Sequence, residues 1–454
     1  MQVGKPLRVL LSANPEWGGV MPCFPLADAL RDAGHIVLFS GPPPNQFFLQ
    51  RCGVNIAKLV REIESRGFEY VTVFQDIIDH PLAKNSGESV GHGSSKCWMG
   101  LFRILEDLLP NLIDDLERVI HDRQIDVVLV DAFIWYEAIA AVKCNIPVIS
   151  VKTNLRVPIN CRMPPSRHWL VPSGLASRAR ILLAWAKIWV YWHLLLPWSG
   201  KMRTLYRSNR LIRKTGAKVG LKTVLSDYFP EFVLPELTLC PETFDFFAVP
   251  GRTYTALVAP KSDIGEFDWP QPVNGRIRVY CSAGTLTQQF EDGTVEKIID
   301  KWLTALAERA DMSVLLQVSD TALRASLKNV PGNTTVVGWV SQRDVLDQAD
   351  LAIIAGGLGT IKECIAAGVP MLVSAPTHAD KPGNAMRTEF HRIGRQIDPL
   401  KASPEEMSQI IDDLVRNRDL YRANMRPIQA ELQDPAGPER LVRYVEAVAT
   451  RASG

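Results

Sequence analysis

Gly356, Gly357 and Gly359 lie between a short apolar run at 351–354 and a helix-forming run that opens near Thr360 and ends at Gly368. Strand, glycine turn and helix in that order present free backbone N–H groups and a positive dipole end, which suits an anion such as a diphosphate. Trp339 stands at the end of an earlier strand, 336–338, and Gln342 follows three residues later. A flat indole stacks on a nucleobase, and a nearby amide bonds to a base or sugar. Glu363, one turn into the helix, is placed to accept from ribose hydroxyls. Elsewhere a buried run at 125–130 ends in Asp131. A carboxylate at the C-terminal end of a parallel strand sits at the crevice where α/β proteins bind ligands. Asp131 is therefore a candidate general base; its other reading is an N-cap for the helix that follows.

The elements that must position these groups are legible as two similar halves. Strands at 7–12 and 36–39 flank a helix over 22–33, a βαβ unit of Rossmann type. Further buried strands fall at 125–130 and 146–151, and a helix over 98–121 is expected to break at Pro110. Prolines punctuate 230–275, where the link to a second half belongs. That half opens with a strand at 276–281 and continues with a helix at 295–310 and a strand at 313–317. After the strands at 351–354 and 370–374 come helices at 404–416, 419–432 and 438–449. The fold class is α/β, with two Rossmann-like domains facing across a cleft. The expected division is 1–250, 251–435 and a terminal helix within 436–454.

Three motifs, in order and at compatible spacing, resemble the donor-binding signature of the family-1 glycosyltransferases of the GT-B fold. Trp339-Val340-Ser341-Gln342 matches W-x-P-Q with Ser341 for Pro. Ala355-Gly356-Gly357-Leu358-Gly359-Thr360 with Glu363 matches H-G-G-x-G-T-x-x-E with Ala355 for His. Asp380-Lys381-Pro382-Gly383-Asn384-Ala385 matches D-Q-x-x-N-A with Lys381 for Gln. Ser282-Ala283-Gly284-Thr285 resembles the small-residue loop that touches the donor phosphates, and the run from Gly18 to His35 resembles the first acceptor-side unit. The resemblance implies that Gly284, Thr285, Trp339, Gln342, Gly356, Gly357, Gly359, Thr360, Glu363, Asp380 and Lys381 bind a nucleotide-diphosphate sugar. It also implies that the last helix crosses back to the first half. The catalytic His of most members falls at Gly19, which cannot take a proton. The base is then Asp131, Glu16 in the same loop as Gly19, or a histidine of the polar segment 80–97, His80 or His92, whose other reading is a solvated loop residue; an acidic acceptor such as a phenol or carboxylate would need little base at all.

The implied activity is inverting, metal-independent transfer of a sugar from a UDP or dTDP donor to a lipophilic small molecule, a natural-product type of chemistry with no cofactor beyond the co-substrate. The alternative is a non-catalytic or repurposed member of the fold, because the family's residues at Gly19, Ala355 and Lys381 are changed together. A nicotinamide dehydrogenase is disfavoured: the first βα turn lacks G-x-G-x-x-G. A formal net charge of +2 gives no polyelectrolyte argument for nucleic acid. Eight scattered cysteines without metal spacing fit reduced thiols and a cytoplasmic setting, and the N-terminus reads as a strand. The stretch 180–198 carries four of the eleven tryptophans. It reads as a buried helix of the acceptor half, with a greasy pocket wall, peripheral membrane contact or a span as the other readings.

Overall fold

The computed structural model describes residues 5–44, 54–78, 80, 95–195, 203–227, 229–258, 268–270, 276–284, 293–376 and 379–451. In chain order the first strands are β1 (Arg8–Ser12), β2 (Ile36–Gly41), β3 (Glu69–Thr72), β4 (Val127–Asp131) and β5 (Val148–Lys152). A small antiparallel pair follows, β6 (Thr223–Leu225) and β7 (Pro230–Phe232), and then β8 (Glu236–Thr238) and β9 (Arg252–Tyr254). The first sheet runs β3-β2-β1-β4-β5-β8-β9, with every pair parallel. The second uses β10 (Ile277–Ser282), β11 (Met312–Gln317), β12 (Thr334–Val337), β13 (Leu351–Ile354), β14 (Met371–Ser374) and β15 (Gly394–Ile397). Its order is β12-β11-β10-β13-β14-β15, again all parallel. In both sheets the order reverses beside the first strand of the half. That reversal opens a crevice at the strands' carboxyl ends, where Ala13–Trp17 follows β1 and Ala283–Gly284 follows β10.

The central strands are apolar on both faces because helices cover both, as parallel sheets require. Val9, Leu10, Leu11, Val127, Val128 and Leu129 are buried in one half, and Ile353, Ile354, Leu372 and Val373 in the other. The terminal helix, Gly437–Arg451, lies against the helix Phe24–Asp32 and buries Leu441, Val442, Val445 and Ala449 in the first half's core.

Three expectations are corrected. The helix Ser95–Asp122 runs through Pro110 without a break. Burial of Leu105, Leu109, Leu112, Ile113 and Leu116 outweighs the one backbone hydrogen bond that proline removes. The change of sheet falls after β9, past the expected boundary at 250/251, because Arg252–Tyr254 pairs with β8 as the edge of the first sheet. The described part of the stretch 180–198, residues 180–195, is not a buried helix. It falls in a helix, Leu175–Val190, and a π turn, Tyr191–Leu195, that bury only one face. Ile181, Ala184, Trp185 and Trp192 point inward, while Leu182, Trp189 and Leu194 are exposed. Among the described residues no helix is long and apolar enough to cross a membrane.

Buried polar contacts join the halves. Arg387 donates from Nε and Nη2 to Oδ1 of Asp245 at 2.9 and 2.7 Å. Lys362, also buried, donates to the carbonyls of Leu239 (2.9 Å) and Leu257 (3.1 Å). Removing one member of a buried ion pair strands the other in low dielectric. Arg387→Met should therefore lower the free energy of unfolding by about 3 kcal/mol or more, read as an earlier urea midpoint. An unchanged midpoint would show that Arg252, 3.5 Å from Asp245, neutralises the carboxylate alone.

Candidate active site

The glycine turn between β13 and the helix Leu358–Ala367 is built as its chemistry requires. Gly356 has φ +84°, and a Cβ there would meet Val373 at 3.0 Å and Ala375 at 3.2 Å, so no other residue fits without strain. Gly357 and Gly359 differ: a Cβ on either would meet nothing within 4 Å. Packing does not demand them. Both line the cleft, and their bareness lets a ligand approach the backbone. The N–H groups of the first helical turn, 358–360, have no intrahelical acceptor and face the same space with the dipole behind them.

The other donor-side residues converge on this turn. A cleft of ≈ 570 Å³ is lined by Gly284, Trp339, Gln342, Gly357, Gly359, Thr360, Glu363, Asp380 and Lys381. Gln342 donates from Nε2 to Thr360 Oγ1 at 3.2 Å and to Glu363, and accepts from Tyr280 at 3.1 Å. Burial raises the Glu363 carboxyl above its usual range, and Gln342 opposes that rise. Asn384 donates to Asp380 Oδ2 at 2.9 Å and to the Gly356 carbonyl at 3.1 Å, tying the third motif to the turn. Lys381 is buried, which pulls its ammonium down to about 8 while Asp380 pushes the other way. It remains mostly cationic at neutral pH, beside Ala355 on the cleft wall. Trp339 is half exposed and meets the edge of Trp17 from the opposite half, centroids 5.4 Å apart and planes at 87°. Lys58 Nζ lies 4.6 Å from both rings. Thr285 and His92 lie outside the described residues.

On the first half the candidates separate. Asp131 is buried and caps the turn Ala132–Ile134: Oδ1 accepts from the Phe133 N–H at 2.8 Å and Oδ2 from Thr153 at 3.3 Å. Burial raises its carboxyl and the Arg156 guanidinium opposes this. It lines neither of the two principal cavities. His80 also lines neither; it sits 3.3 Å from Asp107. Glu16 is different. It stands at the N-cap position of the short helix Trp17–Val20 without a side-chain capping bond, and with Asn14, Phe133 and Ala379 it lines both this cleft and a second, larger cavity. Gly19 lines the cleft, but a Cβ there would lie 2.5 Å from the Asn14 carbonyl. The loop that brings Glu16 forward has taken the room a side chain at 19 would need.

The larger cavity, ≈ 1060 Å³, is walled mostly by apolar side chains, among them Phe102, Leu105, Trp135 and Trp192. Leu183, Ala186 and Val190 of the helix Leu175–Val190 face it. Its wall also holds a residue that sequence reading missed, Glu137, buried one helical turn after Phe133. Oε2 of Glu137 accepts from the hydroxyls of Ser12 and, at 3.2 Å, Ser40. Burial pushes its carboxyl up to about 7 against the pull of those two hydroxyls. The available signal was a single acid in the otherwise apolar run Trp135-Tyr136-Glu137-Ala138-Ile139-Ala140.

With fold and site in hand, the comparisons with known proteins are direct. Residues 301–448 match the family described as erythromycin biosynthesis protein CIII-like, C-terminal domain. The chain is related to the family-1 glycosyltransferases and has their GT-B fold. The glycotransferase of kitacinnamycin superposes with a TM-score of 0.68 at 19% identity, covering 98% of this chain and 99% of that one. A spinosyn rhamnosyltransferase solved with thymidine diphosphate gives 0.65 at 17%, covering 97% and 100%. At these identities the likeness speaks to fold. Among curated relatives, the oleandomycin glycosyltransferase of Streptomyces antibioticus is 27% identical over 225 residues, 49% of this chain and 50% of that protein. UDP-glucosyltransferase B1 of Starmerella bombicola is 24% identical over 233 residues, 47% and 52%. The chain spans about half the length of these two relatives. The zeaxanthin glucosyltransferase of Pantoea ananas matches at 25% over 352 residues, 74% and 75%.

The raised Glu137 carboxyl has a consequence for stability. The folded protein holds that proton more tightly than the unfolded chain, where the group titrates near 4.5. Its contribution is therefore full below about 4.5 and is lost as pH rises through about 7. Glu137→Gln removes the titration. Relative to the native chain it should gain roughly 3 kcal/mol of unfolding free energy between pH 4 and pH 8. A difference that is flat across that range would contradict the buried, titrating acid.

Proposed function

We propose that the protein is an inverting, metal-independent hexosyltransferase that moves a sugar from a UDP or dTDP donor to a lipophilic small-molecule acceptor. The observation that carries this reading is the junction of the two cavities at Glu16. The donor cleft has the bare glycine turn for a diphosphate and Trp339 for a base. The large cavity has the size and apolar wall of a natural-product site. Related proteins carry names such as UDP-glucosyltransferase and oleandomycin glycosyltransferase, and structural neighbours were solved with thymidine diphosphate and with a spinosyn aglycone. These support the two kinds of substrate.

In this reading the acceptor oxygen approaches the anomeric carbon from the face opposite the diphosphate. Glu16 takes its proton as the new bond forms. Charge developing on the leaving diphosphate is met by the N–H groups of 358–360, the dipole of their helix and Lys381. No divalent cation is needed for that neutralisation. Asp380 holds sugar hydroxyls, and Glu363 the ribose. Asp131 shapes the turn that carries Phe133 rather than acting as the base. The exposed Leu182, Trp189 and Leu194, with exposed Arg178, Arg180 and Lys187 nearby, form a face suited to peripheral contact with a membrane that supplies lipophilic acceptors.

Two conservative substitutions test the assignment. With a simple alcohol acceptor and UDP- or dTDP-glucose in the presence of EDTA, Glu16→Gln should lower turnover by roughly 10²-fold and leave donor affinity unchanged. Asp131→Asn should be nearly silent, because asparagine caps as well as aspartate. The reverse pattern would return the base to Asp131. No transfer by the native chain, with nucleotide still bound, would favour the non-catalytic alternative that the changes at Gly19 and Ala355 suggest.

A further inference from the structure

We propose that Glu137 selects the acceptor: the apolar cavity takes a lipophilic molecule that carries a hydroxyl or amine N–H on its buried part, and Oε1 of Glu137 accepts that hydrogen bond. The inference rests on the reading of this cavity as the acceptor site. Three elements bring the carboxylate to the cavity wall. The helix Trp135–Lys143 supplies Glu137, and the ends of β1 and β2 supply Ser12 and Ser40. Both hydroxyls bond to Oε2. Among the described residues Oε1 has no hydrogen-bond partner, and no lysine or arginine offsets the charge.

A buried acid that only tied β1 to β2 would need nothing beyond Oε2. The second oxygen stands in a wall of apolar side chains, where an unfilled acceptor is costly. A ligand that brings a donor removes that cost; a ligand that brings a methyl group to the same spot makes it permanent. The cavity therefore asks for a hydrogen-bond donor at Glu137 on an apolar frame. Sites that hydrogen-bond a substrate hydroxyl reject the analogue lacking it far more strongly than an apolar pocket rejects a missing methylene.

Binding of 4-hydroxybiphenyl, 4-aminobiphenyl and 4-methylbiphenyl to the full chain at about pH 8.5, where the Glu137 carboxyl is ionised and Oε1 can accept, followed by tryptophan fluorescence, tests this. The native protein should hold the hydroxy or amino compound at least about tenfold more tightly than the methyl compound, and the pair shows which donor is taken. In Glu137→Leu that preference should fall to about twofold or less while the methyl compound still binds, which also shows the cavity intact. Glu137→Gln, which keeps an acceptor oxygen, should retain part of the preference. Equal native binding of all three, or an undiminished preference in Glu137→Leu, overturns the inference and leaves the acceptor cavity standing. If no biphenyl binds, the cavity reading falls and this inference with it.

Discussion

The contact on which the site depends is the buried join between the halves. Arg387 on Asp245, and Lys362 on the carbonyls of Leu239 and Leu257, fix one Rossmann-like half against the other. Charged groups buried to this degree tolerate little displacement, because any gap leaves a desolvated charge without its partner. Both clamps grow from the donor elements themselves. Lys362 precedes Glu363 on the helix that follows the glycine turn, and Arg387 stands on the helix Lys381–Phe390 just past the third motif. The loop bearing Glu16 is thereby held opposite the diphosphate turn, and the large cavity opens at that meeting point. A more weakly held cleft would leave Trp17, Lys58 and Trp339 without their contact across it.

The geometry around the glycine turn was largely legible in the sequence because it is local. A strand, a positive-φ glycine, bare glycines and a helix start occupy nine consecutive residues, Leu351–Gly359, and their consequence follows from backbone geometry alone. The acceptor half was legible as elements but not as a site. Glu137 acquires its character from Ser12 and Ser40, 125 and 97 residues away, and no spacing rule reports that. Asp131 was correctly placed at a strand end, yet the same position also suits a cap, and the observed bonds to Phe133 and Thr153 are those of a cap. The edge strand β9 was hidden by its prolines' neighbourhood, and the continuity of Ser95–Asp122 through Pro110 reflects tertiary burial that local propensity does not carry.

Gly19 and Ala355 are departures from the motifs that the sequence otherwise resembles. At Gly19 the Asn14 carbonyl fills the space a side chain would use, so restoring a histidine there would require the Asn14–Trp17 loop to retreat and Glu16 with it. Ala355 and Lys381, the changed positions of the second and third motifs, line the same cleft. Both changes leave the strand ends and helix starts of the fold in place. The fold tolerates such exchange because these groups sit on loops at the carboxyl edge of the sheets, outside the packed strands.

The most direct test of the account is the anomeric configuration of the product formed from a simple phenol and UDP- or dTDP-α-glucose, read from the anomeric proton coupling by NMR. Single displacement at the junction of the two cavities, with Glu16 on the acceptor side and the diphosphate on the helix start, predicts a β-glucoside alone. An α-glucoside would contradict that geometry.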